Sequence, residues 1–139
     1  MIRVVLFLFF CASNALSAQS HELTVSFEGA TEYPTRIAYE ILDEHGTTIQ
    51  AGFLAVKDAK STYVITAEIA QDPFAVQVYE DENSNSKLDR GFFNQPLEKY
   101  AFSNEAWAVL SKPDIKEMLV QPKGQSTRMR FKLKSVTDF

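Results

Sequence analysis

Four oxygen-bearing side chains, Asp81, Asn83, Asn85 and Asp89, recur within the run Asp81-Glu82-Asn83-Ser84-Asn85-Ser86-Lys87-Leu88-Asp89. Alternate residues of a tightly wound loop point inward. Hard oxygen ligands at the first, third, fifth and ninth places therefore converge on one cation, and the seventh residue, here Lys87, adds its backbone carbonyl. Leu88 fills the apolar eighth place of such loops. The chemistry this spacing suggests is Ca²⁺ binding, with Ca²⁺ as the sole cofactor. Ser86 stands where glycine makes the sharp turn, and Phe92 where a bidentate Glu closes the shell. With two carboxylates opposed by Lys87 and Arg90, the expected affinity is weak, about 10⁻⁴ to 10⁻³ M. Glu80, Glu82, Glu98 and Glu105 are available to complete the shell. The competing and simpler reading is a loop in which Asp, Asn and Ser side chains bind their own backbone.

A second group follows at once: Phe92, Phe93, Tyr100, Phe102 and Trp107. Exposed together, they would suit a small apolar ligand, a sugar or a partner protein. Folded back, they would cap the open end of the fold, with Ser103 and Asn104 satisfying loop backbone groups.

Catalytic constellations are poor. The two histidines, His21 and His45, are read as surface residues, one near the start of the domain and one in a turn. They cannot build a three-histidine zinc site or a triad. Asp81 and Asp89 could in principle do the acid–base work of a hydrolase. No nucleophile elbow or phosphate-binding glycine loop accompanies them, so no catalytic residue is assigned.

These groups need elements to position them. Glu22 to Glu28 alternates Leu23, Val25 and Phe27 with polar neighbours, the period-two pattern of a half-buried strand. Arg36 to Leu42 repeats it, Asp43-Glu44-His45-Gly46 supplies a turn, and Thr47 to Val56 returns as the second strand of a hairpin. Thr62 to Ile69, Phe74 to Glu80 and Thr127 to Lys134 alternate likewise. Arg128, Arg130, Lys132 and Lys134 make a cationic outer face on the last. Short strands with no long helical period predict an all-β fold. It is a single antiparallel β-sandwich, immunoglobulin-like or prealbumin-like, of about seven strands, interrupted by one long irregular segment after Glu80. One short helix is expected, capped by Ser111 with Pro113 in its first turn.

The middle of the chain also resembles a known family. Val76-Gln77-Val78-Tyr79 leads into the Asp81 to Asp89 run, and Gln95-Pro96 and Tyr100-Ala101-Phe102-Ser103-Asn104 follow in order. This is similar to the bacterial secreted family catalogued as domain of unknown function 2141. Its pattern is a strand, an Asp-Glu-Asn-Gly-Asn-Gly-Lys-Leu-Asp loop, a proline segment and a Tyr-Gly-Phe-Ser-Asn stretch. The resemblance implies a small exported β-sandwich and names no reaction. Ser84, Ser86 and Ala101 replace three family glycines, which argues against positive φ at those places.

The amino terminus reads as an address. Met1-Ile2-Arg3 is followed by the uncharged run Val4 to Ala12 and by small residues at Ala15, Ser17, Ala18 and Ser20. This is the layout of a signal peptide over 1–20, cut after Ser17, Ala18 or Ser20, ahead of a domain over 21–139. The run is too short for a bilayer, which needs roughly 18 apolar residues, so no transmembrane anchor is expected after cleavage. Lipidation at Cys11 is opposed by the bulky Phe10 before it. Cleavage removes Cys11, the sole cysteine of 139 residues, so the domain must stand without a disulfide. It also removes Arg3, making a net charge of −4 one unit more negative. An acidic exterior opposes nucleic acid and anionic lipid as the main partner. The expectation is a periplasmic or secreted, non-catalytic binding or envelope-interaction module whose partner is a protein, a sugar or a small ligand.

Overall fold

The computed structural model describes residues 19–108 and 111–138. Cys11 and the expected signal segment, apart from its last two residues, lie outside them. Seven strands appear among the described residues: β1 (Ser20–Glu28), β2 (Thr35–Asp43), β3 (Thr48–Val56), β4 (Tyr63–Glu68), β5 (Phe74–Glu80), β6 (Tyr100–Phe102) and β7 (Ser126–Lys132). They form two sheets, β4-β1-β7 and β3-β2-β5-β6, packed as a sandwich. The all-β expectation therefore holds.

One pairing departs from it. β1 and β7 run parallel, from Glu22 beside Ser126 to Glu28 beside Lys132. Alternation of apolar and polar residues is the same in parallel and antiparallel pairs, so the pattern carries no direction. These are the first and last strands, and no hairpin constrains their sense.

The core lies between the sheets. Leu23, Val25 and Phe27 of β1, with Phe131 of the neighbouring β7, face Ile37 and Ile41 of β2 and Val76 and Val78 of β5. Phe27 and Phe131 stack with centroids 5.6 Å apart, each ring contributing about 2 to 3 kcal/mol of burial. His21 is in phase with Leu23, Val25 and Phe27 and is itself buried, 1% exposed. It is not the surface residue its place in the sequence suggested. Its Nε2 pairs with Thr127 Oγ1 at 2.8 Å, while Nδ1 has no partner.

The outer face of β2 and β5 is buried at one end. Leu42 and Ala75 point away from the main core into a second cluster with Met118, flanked by Phe102 and Ile115. The cover is the short helix α1 (Ile115–Met118). Its cap is Asp114 rather than Ser111, because a residue before proline, here Lys112, is steered away from helical geometry. The Asp114 N–H donates to the Glu117 carboxylate at 3.2 Å.

One flank of the sandwich is sewn shut. The Tyr100 N–H donates to the Lys134 carbonyl at 3.0 Å, and the Lys134 N–H to the Tyr100 carbonyl at 3.1 Å. The opposite flank exposes the edge strands β3 and β4. No helix among the described residues is long and apolar enough to cross a membrane.

Candidate functional site

The segment from Asp81 to Lys99 leaves the end of β5 and returns to β6. Its base is built on three buried carboxylates, Glu80, Asp81 and Glu98, exposed by 0%, 1% and 5%. Buried carboxylates must be compensated, and each one is. Glu80 accepts two bonds from the Thr31 N–H, at 3.1 and 2.9 Å, and one from the Thr35 hydroxyl at 2.9 Å. The Arg36 guanidinium donates to Asp81 Oδ2 at 2.8 Å, and the N–H groups of Asn85 and Ser86 each reach Asp81 at 3.1 Å. Glu98 accepts the N–H of Glu82 and that of Asp89, both at 3.1 Å. Burial first, then the charges of Asp89 and Asp81, push the Glu98 carboxyl above its ordinary value, and the two N–H bonds oppose the shift.

The register explains Arg36. Ile37 of β2 sits opposite Glu80 of β5, and the Asp81 N–H donates to the Arg36 carbonyl at 2.9 Å. One step beyond the ladder the two side chains must therefore meet. Neither apolar pattern shows that register, which is why Arg36 is absent from the residues chosen on sequence.

The expected calcium ligands do come together. Asn83 Nδ2 donates to Asp89 Oδ2 at 2.5 Å and Asn85 Nδ2 to Asp89 Oδ1 at 2.8 Å. The amide oxygens face inward to backbone: Asn83 Oδ1 accepts the Asn85 N–H at 3.1 Å, and Asn85 Oδ1 the Lys87 N–H at 2.9 Å. Asp81 already faces a guanidinium. A calcium ion held by Asp81, Asn83, Asn85, the Lys87 carbonyl and Asp89 would have to displace Arg36 from Asp81 and both amides from Asp89. The described residues bring no three His, Cys, Asp or Glu side chains together around a metal-sized space.

Ser84 and Ser86 adopt φ of 56° and 65°. The family-like loop geometry is thus kept without the glycines, against the expectation from sequence, and each serine bears the steric cost of a left-handed residue.

Beyond Asp89 the segment, expected to be irregular, is a small hairpin. The Leu97 N–H donates to the Asp89 carbonyl at 2.8 Å, the Gly91 N–H to the Gln95 carbonyl at 2.8 Å, and the Asn94 N–H to the Gly91 carbonyl at 2.9 Å. The last bond closes a tight turn with Phe92 and Phe93 at its two central positions. Their rings meet edge to face, 5.2 Å apart, yet are 95% and 84% exposed, with Leu97 61% exposed beside them in sequence. Arg90 Nη1 donates to the Asn94 carbonyl at 2.9 Å, and the Gln95 side chain accepts the Phe93 N–H at 2.9 Å. Backbone and side-chain bonds thus close the turn from both sides.

The five aromatics are therefore two groups. Tyr100 is buried, stacks on Trp107 at 4.8 Å, and meets Phe102 at 5.6 Å. Ser103 Oγ accepts the Val76 N–H at 2.9 Å and donates to the Met118 carbonyl at 2.5 Å. Asn104 donates to the Glu117 carbonyl at 2.9 Å. This group is fastened to the sandwich, and no ring contact among the described residues joins it to Phe92 and Phe93. Two shallow depressions, of about 230 and 290 Å³, are lined by none of the five aromatics. The second lies over Arg36, Glu80 and Asp81.

Fold and site together define a two-sheet β-sandwich that displays an ordered aromatic hairpin from a carboxylate-bound base. The chain belongs to the bacterial family described as "Uncharacterized protein conserved in bacteria (DUF2141)", whose model matches residues 19–130. No curated protein and no solved structure matches it.

Proposed function

We propose that the chain is an exported, non-catalytic binding module that touches its envelope partner with the hairpin Asp89–Leu97. The observation that carries this reading is the exposure of Phe92 and Phe93 on a hairpin closed by three backbone hydrogen bonds. Two bare phenyl rings side by side at the tip of a hairpin cost solubility, and large exposed apolar groups of this kind mark contact surfaces. Ordering before contact also lowers the entropy lost on binding.

Export is supported by the Arg3 start, the Val4 to Ala12 run and the small residues after it. Cleavage after Ser17 or Ala18 would leave β1 whole, whereas a cut after Ser20 would take the residue that pairs with Glu68. In this reading Arg36 supplies the positive charge that calcium would otherwise bring to Asp81.

The test is the double substitution Phe92→Ser with Phe93→Ser. Both side chains are solvated, so the melting point should hold within about 2 °C. Association with the envelope fraction of the cell should be lost. Unchanged association would contradict the reading.

A further inference from the structure

We propose that β3 is a self-association edge, pairing antiparallel with β3 of a second copy about a twofold axis at Phe53. Of the four edge strands among the described residues, three are guarded against such pairing. β6 is three residues long, and its Tyr100 is bonded to Lys134. β7 carries Arg128, Arg130 and Lys132 at exposed positions. On β4 the Thr66 carbonyl already accepts the Gln50 side chain at 3.3 Å, and the strand ends on Glu68. β3, by contrast, has nine residues with no charge and no proline.

The free backbone groups of β3 follow from the ladder. The Asp81 N–H bond to the Arg36 carbonyl fixes the alternation along β2, in which Arg36, Ala38 and Glu40 turn to β5 and Ile37, Tyr39 and Ile41 to β3. Their partners Leu54, Gly52 and Gln50 therefore bond inward. The N–H and C=O groups of Ala51, Phe53 and Ala55 point outward, in the spacing that a further antiparallel strand uses. With Phe53 opposite Phe53 of the second copy, Ala51 falls opposite Ala55, and each of these pairs exchanges both backbone bonds. The Phe53 side chain, 43% exposed, then meets its own counterpart, a stabilising cross-strand pair.

Charge selects a second copy in this sense. β3 runs from the turn Asp43-Glu44-His45-Gly46 to the segment Lys57-Asp58-Ala59-Lys60. Asp43 and Asp58 are each turned onto N–H groups of their own turn, which leaves Glu44 at one end and Lys57 and Lys60 at the other. Antiparallel pairing of identical strands sets the lysines of each copy beside the Glu44 turn of the other, twice over by symmetry. Parallel pairing would set like charges together. One strand pair makes a small interface, so the dimer is reversible.

The test is sedimentation equilibrium of the purified full chain from micromolar to millimolar concentration. A dimer is expected, and Ala51→Lys with Ala55→Lys should weaken it about tenfold or more. Both alanines are exposed, so the melting point should hold within about 2 °C. Register is read separately in a Cys11→Ser background. Ala51→Cys chains mixed with Ala55→Cys chains should form an interchain disulfide, because opposed Cα atoms about 5.5 Å apart suit one, and either population alone should form far less. A parent that stays monomeric overturns the proposal. So does a dimer that the lysine variant retains, which is also the result if the shared Val4 to Ala12 run drives association. Disulfides as frequent in the single populations as in the mixture overturn it too. Phe92→Ser with Phe93→Ser should leave the dimer unchanged, and loss of the dimer in that variant would place the contact at the hairpin instead.

Discussion

Arg36 Nη1 lies 2.8 Å from Asp81 Oδ2, and the same guanidinium stands 3.7 Å above the Phe53 ring. The Asp81 side chain has no exposed surface, while Arg36 keeps a third of its own. Removing the cation would leave a buried carboxylate with only two N–H donors. Arg36→Ala should therefore cost about 2 to 3 kcal/mol, the lower side of the range for broken buried pairs because Arg36 is partly solvated. Arg36→Lys should cost about half as much, since a point charge cannot lie flat on Phe53. In chemical denaturation, Arg36→Ala combined with Asp81→Asn should be clearly less destabilised than the sum of the single variants. Additivity would mean that the pair does not hold the loop.

Ser84 sits at φ 56° with its side chain exposed. Ser84→Gly should relieve left-handed strain of about 1 to 2 kcal/mol and forfeit part of it to the greater freedom of the unfolded chain. A net gain of about 0.5 to 1 kcal/mol is expected, read as a melting point a few degrees higher. Ser84→Ala keeps the strain and should show no gain. Ser86 is the poorer choice, because its hydroxyl accepts from Arg36 at 3.2 Å.

The raised Glu98 carboxyl sets a pH dependence with a definite sign. A carboxyl whose folded value lies above its unfolded one binds its proton more tightly in the folded state. Its contribution is fully present below the ordinary value of 4.5 and is lost as pH rises through the folded value. The stability of the parent relative to Glu98→Gln should therefore increase as pH is lowered from neutrality to about 4. A difference that is flat, or that shrinks toward acid, would place Glu98 in an ordinary or favourably ionised setting.

Calcium can be decided by melting. A site of about 1 mM affinity would add about 1 kcal/mol at about 5 mM calcium, a shift of several degrees. With Arg36 on Asp81 and the Asn83 and Asn85 amides on Asp89, the midpoints in calcium and in chelator should coincide. A rise in calcium that grows in Arg36→Ala would show that the cation completes the loop.

Much of the fold could be read from residue order, because burial of one strand face imposes period two on Leu23, Val25 and Phe27 and on their counterparts. The same pattern held a signal for His21, which lies in phase with them. What it cannot hold is non-local pairing. The parallel match of β1 to β7 and the meeting of Arg36 with Asp81 depend on register between distant segments. The site was half legible for a related reason. Oxygen spacing singles out Asp81, Asn83, Asn85 and Asp89 in one loop, but spacing does not say whether a cation or a guanidinium and amide N–H groups will meet those oxygens. Proximity in sequence also grouped Phe92 and Phe93 with Tyr100, Phe102 and Trp107. The hairpin that closes at Asp89 and Leu97 projects the first two away, and β6 carries Tyr100 and Phe102 back onto the sandwich.

The claim that the hairpin is the contact site is tested most directly by placing a photo-crosslinking benzophenone side chain at position 93 in living cells. The same side chain at Val64, an exposed residue of the edge strand β4, serves as the reference. Irradiation should give a discrete adduct, of lipid or of protein, from position 93 and little from position 64. Equal yields at both positions, or no adduct at 93, would contradict it.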